Sequence, residues 1–115
     1  MKQLITAQLV KTSNIGVNGN LFGGQMCYWL DEAGALYTRL HYPDQRFVTL
    51  KTSETIFRKT VHVNDPVQIF VTAVKIGNTS LTLKLDAFRY EELVAEQTIV
   101  FVCVDESGHK KSITR

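Results

Sequence analysis

Cysteine is scarce in this 115-residue chain, and so are long apolar runs, grouped histidines and unbalanced charge. The two cysteines, Cys27 and Cys103, sit in apolar surroundings (QMCYWL and VFVCVD). The count allows one disulfide, but two buried thiols in a reducing cytoplasm fit this setting better. The longest apolar run, Thr98 to Val104, is far short of the roughly 20 residues a membrane helix needs, so no membrane partner is expected. The N-terminus has no long apolar stretch before a small-residue cleavage site, which leaves no signal peptide and a cytoplasmic reading. A net charge of +2 is too small for a nucleic-acid footprint, though it is compatible with a small phosphate-bearing ligand. His41, His62 and His109 are far apart and share no ligand spacing, so no metal is expected. No Walker loop, no Ser–His–Asp or Cys–His–Asn order and no internal repeat is present.

What remains is the composition of one ordinary globular domain, residues 1–115, with 44% hydrophobic and 21% charged residues. Residues 3–11 alternate loosely and predict a strand, and 12–20 (TSNIGVNGN) predict a loop. From Gly23 to about Leu40, Met26, Leu30, Ala33, Tyr37 and Leu40 recur at helical spacing, and Cys27, Trp29 and Leu36 widen the stripe. This predicts a helix buried on most sides, ending near Tyr42-Pro43-Asp44. Strand patterns follow at 46–58, 67–76, 79–90 and 93–104, with turns at Asn64-Asp65-Pro66, Gly77-Asn78 and Glu91-Glu92. The polar tail from Ser107 to Arg115 reads as frayed. Strands joined by tight turns are antiparallel, and one apolar helix is the only cover for their apolar face. The expected fold is α+β, an antiparallel sheet wrapped around one long central helix.

The segment that carries chemistry is Asn18-Gly19-Asn20-Leu21-Phe22-Gly23-Gly24, with Asp31 further along the same helix. The first N–H groups of a helix lack partners, and glycines let a ligand approach them, so this end suits an anion or a carbonyl oxygen. Gly23-Gly24 also serves equally as a plain loop-to-helix turn. Asp31 lies off the apolar stripe, on the side of Gly24, Tyr28 and Ala35. A carboxylate in such a helix needs partners, solvent or a task; Arg39 is one candidate partner.

The pattern Asn-Gly-x-x-Phe-Gly-Gly, six residues, then Asp resembles the signature of hot-dog-fold acyl-CoA thioesterases, most similar to the bacterial broad-specificity acyl-CoA hydrolases. Arg46-Phe47-Val48-Thr49, the segment from Phe57 to Asp65, Ile76-Gly77-Asn78-Thr79-Ser80, and Phe101 to Asp105 with Gly108 continue the resemblance over residues 14–111. Where the family usually carries an Asn, seven residues before the first glycine, this chain has Gly16, flanked by Asn14 and Asn18. Thr60 and Asn64 likewise replace the family's Pro and Gly.

The resemblance implies hydrolysis of acyl-CoA thioesters without a cofactor, coenzyme A being part of the substrate. Gly24 N–H would stabilise the oxyanion, and Asp31 would act as general base or nucleophile. Asn18, or Asn14 in its place, would hold the water or the carbonyl. Gly23, Thr49, Arg58, Lys59, Thr79 and Ser80 are candidate substrate contacts, with Lys75 a further cation. Each of these has a plain alternative: a strand Thr, a turn residue or a solvated charge. A non-catalytic acyl-CoA-binding module and a dehydratase are the competing readings; for the latter neither His41 nor His62 is well placed.

A single sheet over one helix leaves its edges bare, so a homodimer is expected, and the resemblance implies a dimer-based tetramer or hexamer. Gly24 and Asp31 are seven positions apart, about 10 Å along a helix, too far to serve one carbonyl. A two-fold axis between antiparallel helices brings Asp31 of one chain to Gly24 of the other.

Overall fold

The computed structural model describes residues 2–115. Strand β1 (Gln3–Leu9) is followed by a short 3-10 turn (Thr12–Asn14) and helix α1 (Gly23–His41). Five further strands follow: β2 (Arg46–Thr52), β3 (Ile56–Phe57), β4 (Pro66–Ile76), β5 (Ser80–Arg89) and β6 (Glu92–Val104). They form one antiparallel sheet in the order β1-β4-β5-β6-β2, with β3 also on β6. The register shifts in β1, β2, β4 and β6 fit a sheet that curls around the helix.

The segment 46–58 is two strands rather than one. Ser53 marks the break: its N–H donates to Thr98 O (2.8 Å) and its hydroxyl accepts Thr98 N–H (2.9 Å). Gln97 Nε2 donates to Ser53 O at 3.2 Å. Side chains thus continue the pairing while the backbone leaves the sheet. The last turn lies at Tyr90–Glu91, with Tyr90 at φ 57°, and Glu92 already belongs to β6.

Alternation puts Leu81, Leu83 and Leu85 of β5 on the inner face, all fully buried against α1. The helix buries Met26, Trp29, Leu30, Ala33, Gly34, Tyr37 and Thr38. It is not buried on most sides: Leu40 is 58% exposed and Leu36 is also exposed, because the sheet covers only one flank. The tail is docked, not frayed. Lys111 N–H donates to Cys103 O and Ile113 N–H to Asn78 O. Gln45 accepts Thr114 N–H and donates to Thr114 O, and Ile113 packs on the core. Both cysteines are free thiols, and no helix among the described residues is long and apolar enough to cross a membrane.

Two ionic clusters tie the strand ends. Glu96 pairs with Arg58 (2.8 Å) and Lys84 (3.1 Å), and Lys84 also holds Asp86. Arg89 joins Asp65 to Glu92 and donates to the Thr60 carbonyl, and Lys59 lies 3.7 Å from Glu92.

The helix packs tightly on the sheet at Gly34, where a Cβ would stand 3.0 Å from the Phe101 ring and 3.3 Å from Leu85. Both neighbours are buried and cannot yield, so the clash outweighs the propensity gain of alanine, about 1 kcal/mol. Gly34→Ala therefore lowers the thermal midpoint, by about 5 °C, and adding Phe101→Leu restores part of the loss. The Arg58 and Lys84 hydrogen bonds hold the Glu96 carboxyl below its usual value of 4.5. A depressed carboxyl stabilises the fold above that value and loses its contribution as pH falls through the folded pKa. Glu96→Gln should lower the midpoint by about 3 °C at pH 7, and the gap to wild type should close as pH falls below 4.5.

Candidate active site

The loop before α1 is pinned at both ends. Leu21 N–H donates to Val61 O (2.7 Å) and Phe22 N–H to Asn14 O (2.9 Å). The N–H groups of Gln25 and Met26 both end on Phe22 O, at 3.0 and 3.2 Å. Those of Gly23 and Gly24 have no acceptor among the described residues, which leaves the positive end of the helix dipole free.

The glycines are there for shape. A Cβ at Gly24 would lie 2.6 Å from the Phe22 ring, and one at Gly16 would lie 3.2 Å from the same ring. Phe22 is thus lodged between two glycines. The Phe57 ring of β3 stands 3.5 Å from where a Gly23 Cβ would be. Both rings are more than half exposed. Cys27 Sγ and Thr55 Oγ1, 3.4 Å apart, hold the link between β2 and β3 against the second turn of α1.

Asp31 is exposed and makes no ion pair or hydrogen bond among the described residues; Arg39 is not its partner. Gly24, Tyr28 and Ala35 share that exposed face. The carboxylate is not sealed in an apolar helix, because the face it occupies is the one the sheet leaves open. Thr49 lies on the edge strand β2, on the Phe47 side of the sheet by alternation, and is exposed.

Asn14 and Asn18 part company. Asn18 stands at the exposed tip of the loop, beside Gly19 (φ 80°), with no hydrogen bond among the described residues. Asn14 is drawn to the helix start: its Oδ1 accepts Lys11 N–H (2.9 Å) and its Nδ2 donates to Gln25 Oε1 (3.3 Å). Arg58 and Lys59 follow Phe57 near the helix start, already paired with Glu96 and Glu92. Thr79 and Ser80 lie at the opposite end of the molecule: Thr79 O accepts Cys103 N–H, Cys103 pairs with Phe47, and Phe47 packs on Tyr42 just past the helix. Lys75 lies in β4, three residues before that turn begins at Asn78. Within one chain the other candidate contacts therefore fall into two groups, one at each end of a 19-residue helix about 28 Å long, while Thr49, opposite Phe101, lies level with its middle.

A cavity of about 440 Å³ opens at the C-terminal end of α1, between His41, Gln45, Lys111 and Arg115, and includes neither Gly24 nor Asp31. Among the described residues no group of three His, Cys, Asp or Glu side chains is set to hold a metal. Gln25 and Thr55 escaped the sequence reading, and Phe22 and Phe57 entered it only as members of motifs. Gln25 had a signal, its place directly after the two glycines; Thr55 and Phe57 come to this region through contacts distant in sequence.

A protein of Buchnera aphidicola subsp. Baizongia pistaciae, named an uncharacterized acyl-CoA thioester hydrolase, is 28% identical over 96% of this chain and 88% of its own. The hexameric broad specificity acyl-coenzyme A thioesterase HI0827 superposes with a TM-score of 0.83 at 26% identity, over 98% of this chain and 82% of that one. Cj0915, a hexameric hotdog fold thioesterase of Campylobacter jejuni, gives a TM-score of 0.82 at 24% identity, over 97% and 90% of the two chains. The fold is thus the hot-dog fold that the resemblance implies, and its sheet around one helix is the architecture read from the helix and strand pattern. Residues 18–96 match the model of the thioesterase superfamily, and the chain belongs to that superfamily.

Proposed function

We propose that the protein hydrolyses acyl-CoA thioesters to free acid and coenzyme A, in a cytoplasmic setting and with no cofactor beyond the coenzyme A of the substrate. One observation carries this reading: an unpartnered carboxylate, Asp31, and an unpartnered helix-start N–H, that of Gly24, share the exposed face of α1. The Gly24 N–H receives the thioester oxygen as it gains negative charge. Asp31 acts on the carbonyl carbon, either by taking a proton from the attacking water or by forming a mixed anhydride that water then opens. In both routes the C–S bond breaks and a proton goes to the departing sulfur. The names of the relatives supply the substrate class, acyl-CoA.

The site is shared by two copies. Seven positions of helix separate Gly24 and Asp31, about 10 Å, whereas both must stand within about 3 Å of one carbonyl. The free edge of β2 and the open face of α1 adjoin through Thr55 and Phe57, and the unpaired edge with its exposed Val48, Leu50, Tyr28 and Phe57 suits a second copy. Antiparallel helices then bring Asp31 of one copy to Gly24 of the other. They also bring Thr79 and Ser80 of one copy toward the end that carries Gly23, Arg58 and Lys59 of its mate. Thr49, on β2, lies along the same seam. The hexameric state of HI0827 makes a trimer of such dimers the assembly we favour.

Asp31→Asn should lower kcat by about a thousandfold or more while leaving the thermal midpoint within a few degrees of wild type. Thiol release from a panel of acyl-CoA esters measures the first and calorimetry the second; full activity in Asp31→Asn would remove it from the chemistry. The shared site is checked by mixing. An Asp31→Ala chain is co-refolded with a Gly24→Pro chain, which lacks the donor N–H. Because any Cβ at Gly24 meets the Phe22 ring, the second chain also carries Phe22→Ala, and Phe22→Ala alone is the control. Each parent should be inactive, and random mixing should recover about a quarter of wild-type activity. No recovery from folded mixed dimers would place both groups in one chain.

A further inference from the structure

The polarity of one short hydrogen-bond chain bears on how the oxyanion is held. The Lys11 backbone N–H can only donate, so the Asn14 atom 2.9 Å away must be its oxygen. The Asn14 amide nitrogen then faces Gln25, and the Gln25 atom 3.3 Å from it must in turn be the oxygen. Gln25 Nε2 is thereby turned away from Asn14, and it has no acceptor among the described residues. The pair is seated at the mouth of the helix, since the Asn14 carbonyl takes the Phe22 N–H. Gln25 is in the first turn, and helical side chains tilt toward the N-terminus. Its carboxamide therefore lies beside the end from which the free Gly23 and Gly24 N–H groups emerge. Gly16 adds no side chain there, and the Phe22 ring takes that space.

We propose that Gln25 is a catalytic residue whose Nε2–H is a second donor to the thioester oxygen beside Gly24 N–H, and that Asn14 is the positioning residue that sets the Gln25 amide the right way round. This rests on the thioesterase reading above. The function read from sequence for Asn18 passes to Gln25, with Asn14 behind it. No atom is transferred: Gln25 stabilises charge on the carbonyl oxygen and is unchanged at the end of the cycle.

The test exploits polarity. Gln25→Ala should lower kcat about a hundredfold, with KM changed by less than about threefold, because the donor acts mainly on the developing oxyanion. In Asn14→Asp the introduced carboxylate still accepts the Lys11 N–H but has no proton for Gln25. Gln25 then turns its NH2 to the carboxylate and presents oxygen to the oxyanion. The loss in kcat should equal or exceed that of Gln25→Ala. Asn14→Ala, which frees the amide to rotate, should cost only about tenfold. In a Gln25→Ala background Asn14→Asp should cost nothing further. Thermal midpoints are measured throughout. Wild-type kcat in Gln25→Ala, independent effects of Asn14→Asp and Gln25→Ala, or losses that follow the midpoint would each overturn the proposal. Asp31→Asn runs alongside: if it is inactive while Gln25→Ala is not impaired, only this inference fails. If Asp31→Asn is active while Gln25→Ala is impaired, the donor stands and the attacking group lies elsewhere. A wild-type protein that releases no thiol from any acyl-CoA overturns both.

Discussion

A single helix can bury only one flank against a curled sheet, and much of the molecule follows from that limit. The contact is tight: the absence of a Cβ at Gly34 lets the helix settle onto Phe101 and Leu85, and the inward leucines of β5 lie beneath it. The opposite flank has no cover among the described residues. It carries Gly24, Tyr28, Asp31 and Ala35, and it borders the unpaired edge of β2. In this small fold the surface left over from making a core is also the surface that carries the proposed reactive groups.

The helix start is built to stay open. Phe22 occupies the space that side chains at Gly16 and Gly24 would need, and Phe57 packs over Gly23. The rings shield the backbone sideways without supplying an acceptor, so two N–H groups keep their hydrogen-bonding capacity at the positive end of the helix. Elsewhere side chains bridge distant segments: Ser53 repairs the break between β2 and β3, Gln45 holds the tail, and Arg89 gathers Asp65, Glu92 and the Thr60 carbonyl. Asp31 and the Gly24 N–H, both without a partner among the described residues, share the exposed face of α1.

Charge is distributed by the same logic. Arg58 and Lys59, candidates for phosphate contacts, are held by Glu96 and Glu92. They form a mixed-charge patch, with part of their hydrogen-bonding capacity already committed. That favours orientation over raw electrostatic attraction, because each cation is already partly neutralised.

The sequence by itself determined the elements and their amphipathic faces. Apolar residues at three- and four-residue spacing specify α1, alternation specifies the inward leucines of β5, and the 24-to-31 interval specifies that Gly24 and Asp31 share a face. These are local periodicities, set by backbone geometry whatever the partners. Tertiary structure alone decided which flank of α1 stays open, since Leu36 and Leu40 are as apolar as the residues the sheet buries. It decided that the tail docks, through Gln45 some seventy positions away. It separated Asn14 from Asn18, because which asparagine reaches the helix depends on how the loop is pinned by Val61 and Phe22. It brought Phe57 to Gly23 and Thr55 to Cys27 from beyond the helix. Such pairings join residues distant in the chain, and periodicity carries no record of them.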